Sequence, residues 1–342
     1  MMTYVLMGLL VVALAVSVLW GMRYETDKNA FMSVGDTTFL RGLWCLIVVL
    51  VHVPPAYQNR LQDMLGSFAY IGVTFFFMTS AYGLKYSAEK KPGYLKHFWK
   101  QRLPSILIPA WLANLLSIGI RLLGGRQVSA LSFFNVNSWV KVLLVNYAIF
   151  WIVYYVARNV IGGGWKEITI CAICVAWSLT ERLTGWLAMG WEVERLGFVY
   201  GVLLAAHYEE VNEWIHRSWK KKTVTLMLLS VLLGVAYLRF KPVKFYGDYL
   251  LRILLGVALT AFVMEAVSGF KVGNRINRFL GSVSYEVYLI HETAFATLIL
   301  VNPELDSGVF IVSAIALAVA AGYALKILSA TVRAGAFPKL TE

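Results

Sequence analysis

Residues 41–52 read Arg41-Gly42-Leu43-Trp44-Cys45-Leu46-Ile47-Val48-Val49-Leu50-Val51-His52. Two ionisable side chains bracket an otherwise apolar run. Eleven residues make about three helical turns, so both side chains project from nearly the same face, with a rise of roughly 16 Å between them. An apolar run of this kind reads as a helix inside a bilayer. Ionisable groups at membrane depth are costly and face a protein interior or an aqueous cavity. Arg41 near one surface with an imidazole above it therefore suggests a site that reaches into the membrane. The plainer alternative is an interfacial Arg41 and a core His52 bonded to a neighbouring carbonyl. A polar pair facing lipid needs a reason, which favours the functional reading.

The rest of the chain agrees with a membrane setting. Hydrophobic residues make up 59% of the 342, charged residues 15%. Mean hydropathy is +0.67. That is too apolar for a soluble domain and predicts an all-α, polytopic transmembrane helix bundle. Apolar spans fall at about 4–20, 39–56, 67–84, 103–120, 138–157, 165–180, 195–208, 223–238, 250–268, 284–300 and 309–328, or eleven membrane helices. The first lacks the basic start of a signal peptide and reads as a retained helix. The net charge of +12 does not imply nucleic acid, because the basic residues lie in short loops between spans.

Those loops set an orientation. One set holds Arg23 and Lys28, Lys85 to Arg102, Arg158 and Lys166, Arg217 to Lys222, Lys271 to Arg278, and the tail after Lys326; with Arg41 it carries 21 of the 31 Lys and Arg residues. The opposite loops hold Glu181, Glu192, Glu194, Glu304 and Asp306. Positive charge marks the cytoplasmic side. The N-terminus is then outside, the C-terminus inside, Arg41 at the cytoplasmic edge and His52 towards the outer half.

Within the loop 85–102 most lysines reflect that charge bias alone. Arg102 differs, because it directly precedes LPSILIPAWLANLL and so stands where it can bind a phosphate at the mouth of a bundle. Gly162-Gly163-Gly164 is followed by neither Lys-Ser/Thr nor a strand, and reads as a tight turn. Cys171 and Cys174 lack a second ligand pair and read as helix packing, so no metal is expected. Late in the chain, Ser284, Tyr288 and His291 share one helix face, with Tyr285 and Glu292 on an adjacent stripe. They suggest the wall of a polar cavity. Ser282 or Ser284 offers the helix cap. In GVTFFFMTSAYGL the aromatic run reads as packing, while small residues around Ser80 and Gly83 allow a helix or ligand to approach closely. No acid/base dyad supports a nucleophile at Ser80.

Four motifs occur in order: Arg41-x10-His52; Gly72-Val73-Thr74-Phe75-Phe76-Phe77-Met78-Thr79-Ser80-Ala81-Tyr82; Arg102-Leu103-Pro104 leading to Pro109; and Ser284-Tyr285-Glu286-Val287-Tyr288-Leu289-Ile290-His291. Together they resemble acyltransferase family 3, the bacterial membrane O-acyltransferases of cell-surface glycans, over roughly residues 36–328. Two positions depart from the family pattern. Ser105 stands where a second Arg is frequent, with Lys100 near enough to compensate, and Ala81 stands in place of Gly.

The resemblance implies a ten-helix domain over 36–330, with 1–35 an extra N-terminal helix and linker and 331–342 a cytoplasmic tail. It implies acetyl-CoA or another acyl-CoA as donor and a hydroxyl of a surface polysaccharide or lipid-linked glycan as acceptor, in the bacterial cytoplasmic membrane. His52 becomes the catalytic residue with Arg41 its partner, and Arg41, Lys100 and Arg102 face the donor phosphates. Tyr285, His291 or Ser80 would meet the developing oxyanion; Ser80, Tyr82, Ser284, Tyr288 and Glu292 would line the substrate cavity. Direct transfer and an acyl-His or acyl-Ser relay both remain open. The competing class is a proton-coupled transporter or flippase, which predicts inverted repeats that the two halves do not show.

Overall fold

In the computed structural model, which describes residues 2–25 and 30–336, the chain is a helix bundle. In order come α1 (Met2–Leu19), α2 (Val34–Val51), α3 (Arg60–Gly66), α4 (Ala69–Lys90), α5 (Phe98–Leu123), α6 (Ser138–Trp151), α7 (Trp165–Thr184), α8 (Leu196–Ala206), α9 (Tyr208–His216), α10 (Trp219–Phe240), α11 (Arg252–Ser268), α12 (Arg275–Val301) and α13 (Ser307–Ala336). Arg23–Tyr24 and Phe270–Lys271 pair as a short antiparallel ladder. Lys28 and residues 337–342 of the expected tail lie outside the described residues. The part of that tail from 331 to 336 continues α13.

All eleven expected spans fall on helices. Eight helical segments are long and apolar enough to cross a membrane. The other three, α7, α8 and α12, differ for physical reasons. α12 has the length, at 27 residues, but carries Arg275, Arg278, Glu286, His291 and Glu292. α7 likewise carries charge at both ends, Lys166 and Glu167 at one and Glu181 and Arg182 at the other. α8 has only 11 residues. That is about 16 Å, half the thickness of a bilayer core. α8 can be short because it packs inside the bundle against α4, with seven of its residues buried.

α2 and α12 form the centre, with α4, α5 and α13 packed around them. Their crossing is tight because glycines meet. A Cβ on Gly42 would stand 2.8 Å from the Gly281 nitrogen, and one on Gly281 would stand 1.9 Å from the Thr38 carbonyl oxygen. In lipid, small residues let backbones approach and gain dispersion contacts that hydrophobicity does not supply. Gly281→Leu should therefore push the two helices apart, since the obstacle is backbone rather than a flexible side chain. The expected outcome is a thermal midpoint several degrees lower in detergent, with loss of activity. An unchanged midpoint would contradict this crossing.

Local sequence sets the helix ends. Ser33 and Asp36 cap each other's backbone at the start of α2, which places Arg41 two turns inside the helix rather than at its start. α2 stops at Val51 because Val53 precedes Pro54-Pro55, and a residue before proline avoids helical geometry. His52 is thus the C-cap and not an interior residue. α12 starts seven residues before Ser282: Asn274 is its cap, accepting from the Asn277 amide at 3.0 Å. Ser282 and Ser284 are interior, their hydroxyls donating to the carbonyls of Phe279 and Gly281. In α5, Pro109 opens the turn around Ser105 and Ile106. The Tyr285 hydroxyl donates to the Ile106 carbonyl at 2.8 Å, so α12 is tied to the α5 backbone next to that turn. α1 is peripheral, with Met7 its single buried residue among those described. It is tied on by Thr3 donating to Asp306 (2.7 Å) and by Ser17 and Asn277 (2.9 Å).

Candidate active site

The α2–α12 crossing brings together residues from opposite ends of the chain. The imidazoles of His52 and His291 lie with ring centroids 4.7 Å apart, tilted by 60°. One ring nitrogen of each and one carboxylate oxygen of Glu292 all fall within 4.8 Å of one another. His291 is buried, His52 half-buried and Glu292 exposed. The cluster is therefore reachable from one side and walled on the other. His291 sits sixteen residues into α12, about 24 Å from its start, at the level where α2 ends. The end of the bundle beyond it is closed by the 53–59 loop. Tyr57 donates to the Pro303 carbonyl at 2.6 Å and stacks on Phe310 at 3.8 Å.

The hydrogen bonds assign the tautomers. His52 Nδ1 lies 2.8 Å from the Val48 carbonyl, and His291 Nδ1 lies 2.6 Å from that of Tyr288. A carbonyl only accepts, so each Nδ1 carries the proton. In the neutral rings each Nε2 is then a bare lone pair. That of His291 is buried without a hydrogen-bond partner among the described residues. A neutral His291 consequently presents an acceptor, which does not suit the oxyanion-donor role foreseen for it.

The other expected residues are placed as follows. Tyr285 uses its hydroxyl proton on α5, as described above. Tyr288 donates to the Asn137 side chain at 3.2 Å, joining α12 to the cap of α6. Ser284 is buried at the helix crossing, where its carbonyl accepts from the Cys45 thiol at 3.3 Å, so it braces packing rather than lining a cavity. Ser80 is half-buried on α4. Tyr82 belongs to a separate aromatic group with Tyr86 and Tyr208, at 6.4 and 6.2 Å. Arg41 is half-buried, its guanidinium 5.9 Å from the Phe76 ring and its buried Nε without a hydrogen-bond partner among the described residues. Cys171 and Cys174 are free, and the Cys174 thiol contacts Asn146 at 3.6 Å, the packing role foreseen.

A second recess, of about 510 Å³, opens at the far end of the bundle between Lys91 and Ser105. Tyr94, His97, Gln101 and Arg102 line it. Arg102 is held by its Nε donating to the Tyr94 hydroxyl at 2.9 Å, with the guanidinium 5.6 Å from the Tyr94 ring centroid. Its remaining donors stay available. Lys100, two residues away and some 200° round the helix, is exposed and outside this recess. His97 and Tyr94 escaped the sequence reading because nothing local marks them; the turn at Gly93, with φ +74°, folds them back onto Arg102.

Two ionic networks were also hidden. Lys85 is not a free loop cation: it is buried and pairs with Glu89 and with Glu167 at 2.8 Å, while Tyr154 donates to Glu167 at 2.6 Å. At the opposite end, buried Arg195 pairs with Glu181 at 2.7 Å over the Trp177 ring, Arg252 pairs with Glu194, and Arg182 with Asp248. Arg252 inside YLLRILLGVAL was the one available signal, a charge in an apolar run.

Residues 36–327 match the family model described as an acyltransferase domain, that of acyltransferase family 3. The chain belongs to acyltransferase family 3. It is a multi-pass membrane acyltransferase, and the paired histidines lie within the family domain while α1 lies outside it. No match was found among curated proteins or solved structures.

Proposed function

We propose that the protein moves an acyl group, most simply acetyl, from cytoplasmic acyl-CoA to a hydroxyl of an extracytoplasmic glycan or glycolipid in the bacterial cytoplasmic membrane, with His52 as general base. The observation that carries this reading is the His52 tautomer. Nδ1–H is spent on the Val48 carbonyl, which leaves Nε2 as a fixed acceptor in a half-buried position beside His291. A neutral imidazole so held takes the proton of an acceptor hydroxyl as the oxygen attacks the thioester carbonyl. The C–O bond forms, the C–S bond breaks, and the imidazolium returns the proton to the CoA thiolate. The 4.7 Å approach of the two rings supports a role for His291 Nε2 in accepting from the N–H of protonated His52, which would make His291 a positioning residue rather than an oxyanion donor.

The donor side rests on charge. The recess around Arg102 lies at the end of the bundle that carries the basic loops, and a guanidinium with spare donors suits phosphate groups. The orientation is open to direct test. Cysteines introduced singly at 91–97 and at 217–222 should react with an impermeant maleimide only after the membrane is opened. Labelling of both segments in intact cells would reverse the orientation and remove the donor assignment.

A further inference from the structure

We infer that His52, His291 and Glu292 form a binding site for a divalent transition-metal ion of the zinc class, and that its occupation switches acyl transfer off. The sequence motifs place no metal here. The site itself stands on geometry alone; the switching rests on the general-base reading above.

Three features make the cluster a metal site and not merely a polar pair. The first is the ligand set. Two imidazoles and a carboxylate, with one ligating atom from each inside 4.8 Å, match the three-protein-ligand pattern that leaves a fourth position open. Tetrahedral bonds of about 2.1 Å bring ligand atoms to about 3.4 Å apart, so the cluster must close by little more than 1 Å. Glu292 is exposed, and its side chain has the freedom to supply that movement. The second feature is the tautomers. A histidine ligand usually donates its other N–H to a carbonyl, which fixes the ring and raises the basicity of the ligating nitrogen. Both rings already do so, His52 to Val48 and His291 to Tyr288. The third is the orphaned His291 Nε2, a buried lone pair with no hydrogen-bond partner among the described residues. Imidazole nitrogen selects zinc, copper, nickel or cobalt over magnesium and calcium. An ion on His52 Nε2 occupies the lone pair that the acceptor proton needs.

The test uses the full-length protein in detergent, stripped with chelator. Co²⁺ serves as the spectroscopic probe and Zn²⁺ as its competitor. One Co²⁺ per chain should bind with the intense visible bands of four-coordinate cobalt, and Zn²⁺ should displace it. Glu292→Gln changes an exposed residue, so folding is not at stake. It should weaken Co²⁺ at least 10-fold, and His291→Ala should abolish the bands. Zn²⁺ at saturation should lower transfer at least 10-fold in the unmodified protein, with recovery on adding chelator. Absence of the bands, or bands indifferent to Glu292→Gln, overturns the site. Transfer that is unchanged or raised by bound Zn²⁺ overturns the switch. A protein that binds Co²⁺ through these ligands but never transfers acyl groups sinks the general-base reading and leaves the site standing; transfer without cobalt bands does the reverse.

Discussion

His52→Gln should lower the turnover of acyl transfer at least about 100-fold, the lower end of what a positioned general base supplies, while leaving acyl-CoA affinity near that of the unmodified protein. A factor of 100 corresponds to about 2.7 kcal/mol of transition-state stabilisation. Glutamine keeps the bulk and can still donate to the Val48 carbonyl, so the α2 C-cap survives. It cannot take up a proton. His52→Ala should fail equally. His291→Ala should fall less far, because His291 accepts a hydrogen bond only from the proton that His52 has already taken and does not itself deprotonate the acceptor. Single-turnover transfer and donor binding, measured side by side for each variant, separate these outcomes. Near-normal turnover in His52→Gln would make the imidazole a helix cap only and send the search for the base to His291 or Glu292.

Arg102→Ala should weaken acyl-CoA binding by roughly 10- to 100-fold, the loss of a charge-assisted contact worth about 1.5–3 kcal/mol. Arg102→Lys should restore part of that affinity if the guanidinium acts as a point charge, and little if it grips a phosphate with two N–H groups. Lysine also loses the donor to the Tyr94 hydroxyl, so the shape of the recess changes with it. Arg41→Ala should weaken the donor as well, with its partnerless Nε the group that a ligand satisfies. Lys100→Ala should have little effect, since Lys100 points away from the recess. Acyl-CoA affinity unchanged from that of the unmodified protein in both Arg41→Ala and Arg102→Ala would dismiss this donor site.

Composition and local pattern by themselves determined the class of the protein. An apolar chain with most of its charge in short loops reads as a membrane bundle, and each of the eleven apolar runs became a helix because in lipid the backbone must bond within its own segment. The motifs were local too, so the family could be recognised from residues along single helices. Helix ends were less legible. Arg41 looked terminal because the Ser33–Asp36 cap that starts α2 is polar and lies outside the apolar run. Ser284 looked like a cap because Asn274, the real one, stands beyond Arg275 and Arg278.

Only the tertiary structure decided what the polar residues do. Spacing placed Ser284, Tyr288 and His291 on one face, but spacing does not say what faces them. Packing committed Ser284 to the α2 crossing, Tyr285 to the Ile106 carbonyl of α5, and Tyr288 to Asn137, leaving His291 with a lone pair opposite His52. Lys85 read as loop charge until Glu167 was found beside it. The physical reason is the same in each case. A side chain's direction follows from its own helix, whereas its partner is set by where another helix lies. Here that depends on Gly42 and Gly281, which have no chemistry of their own and let two backbones come close enough for the histidines to meet.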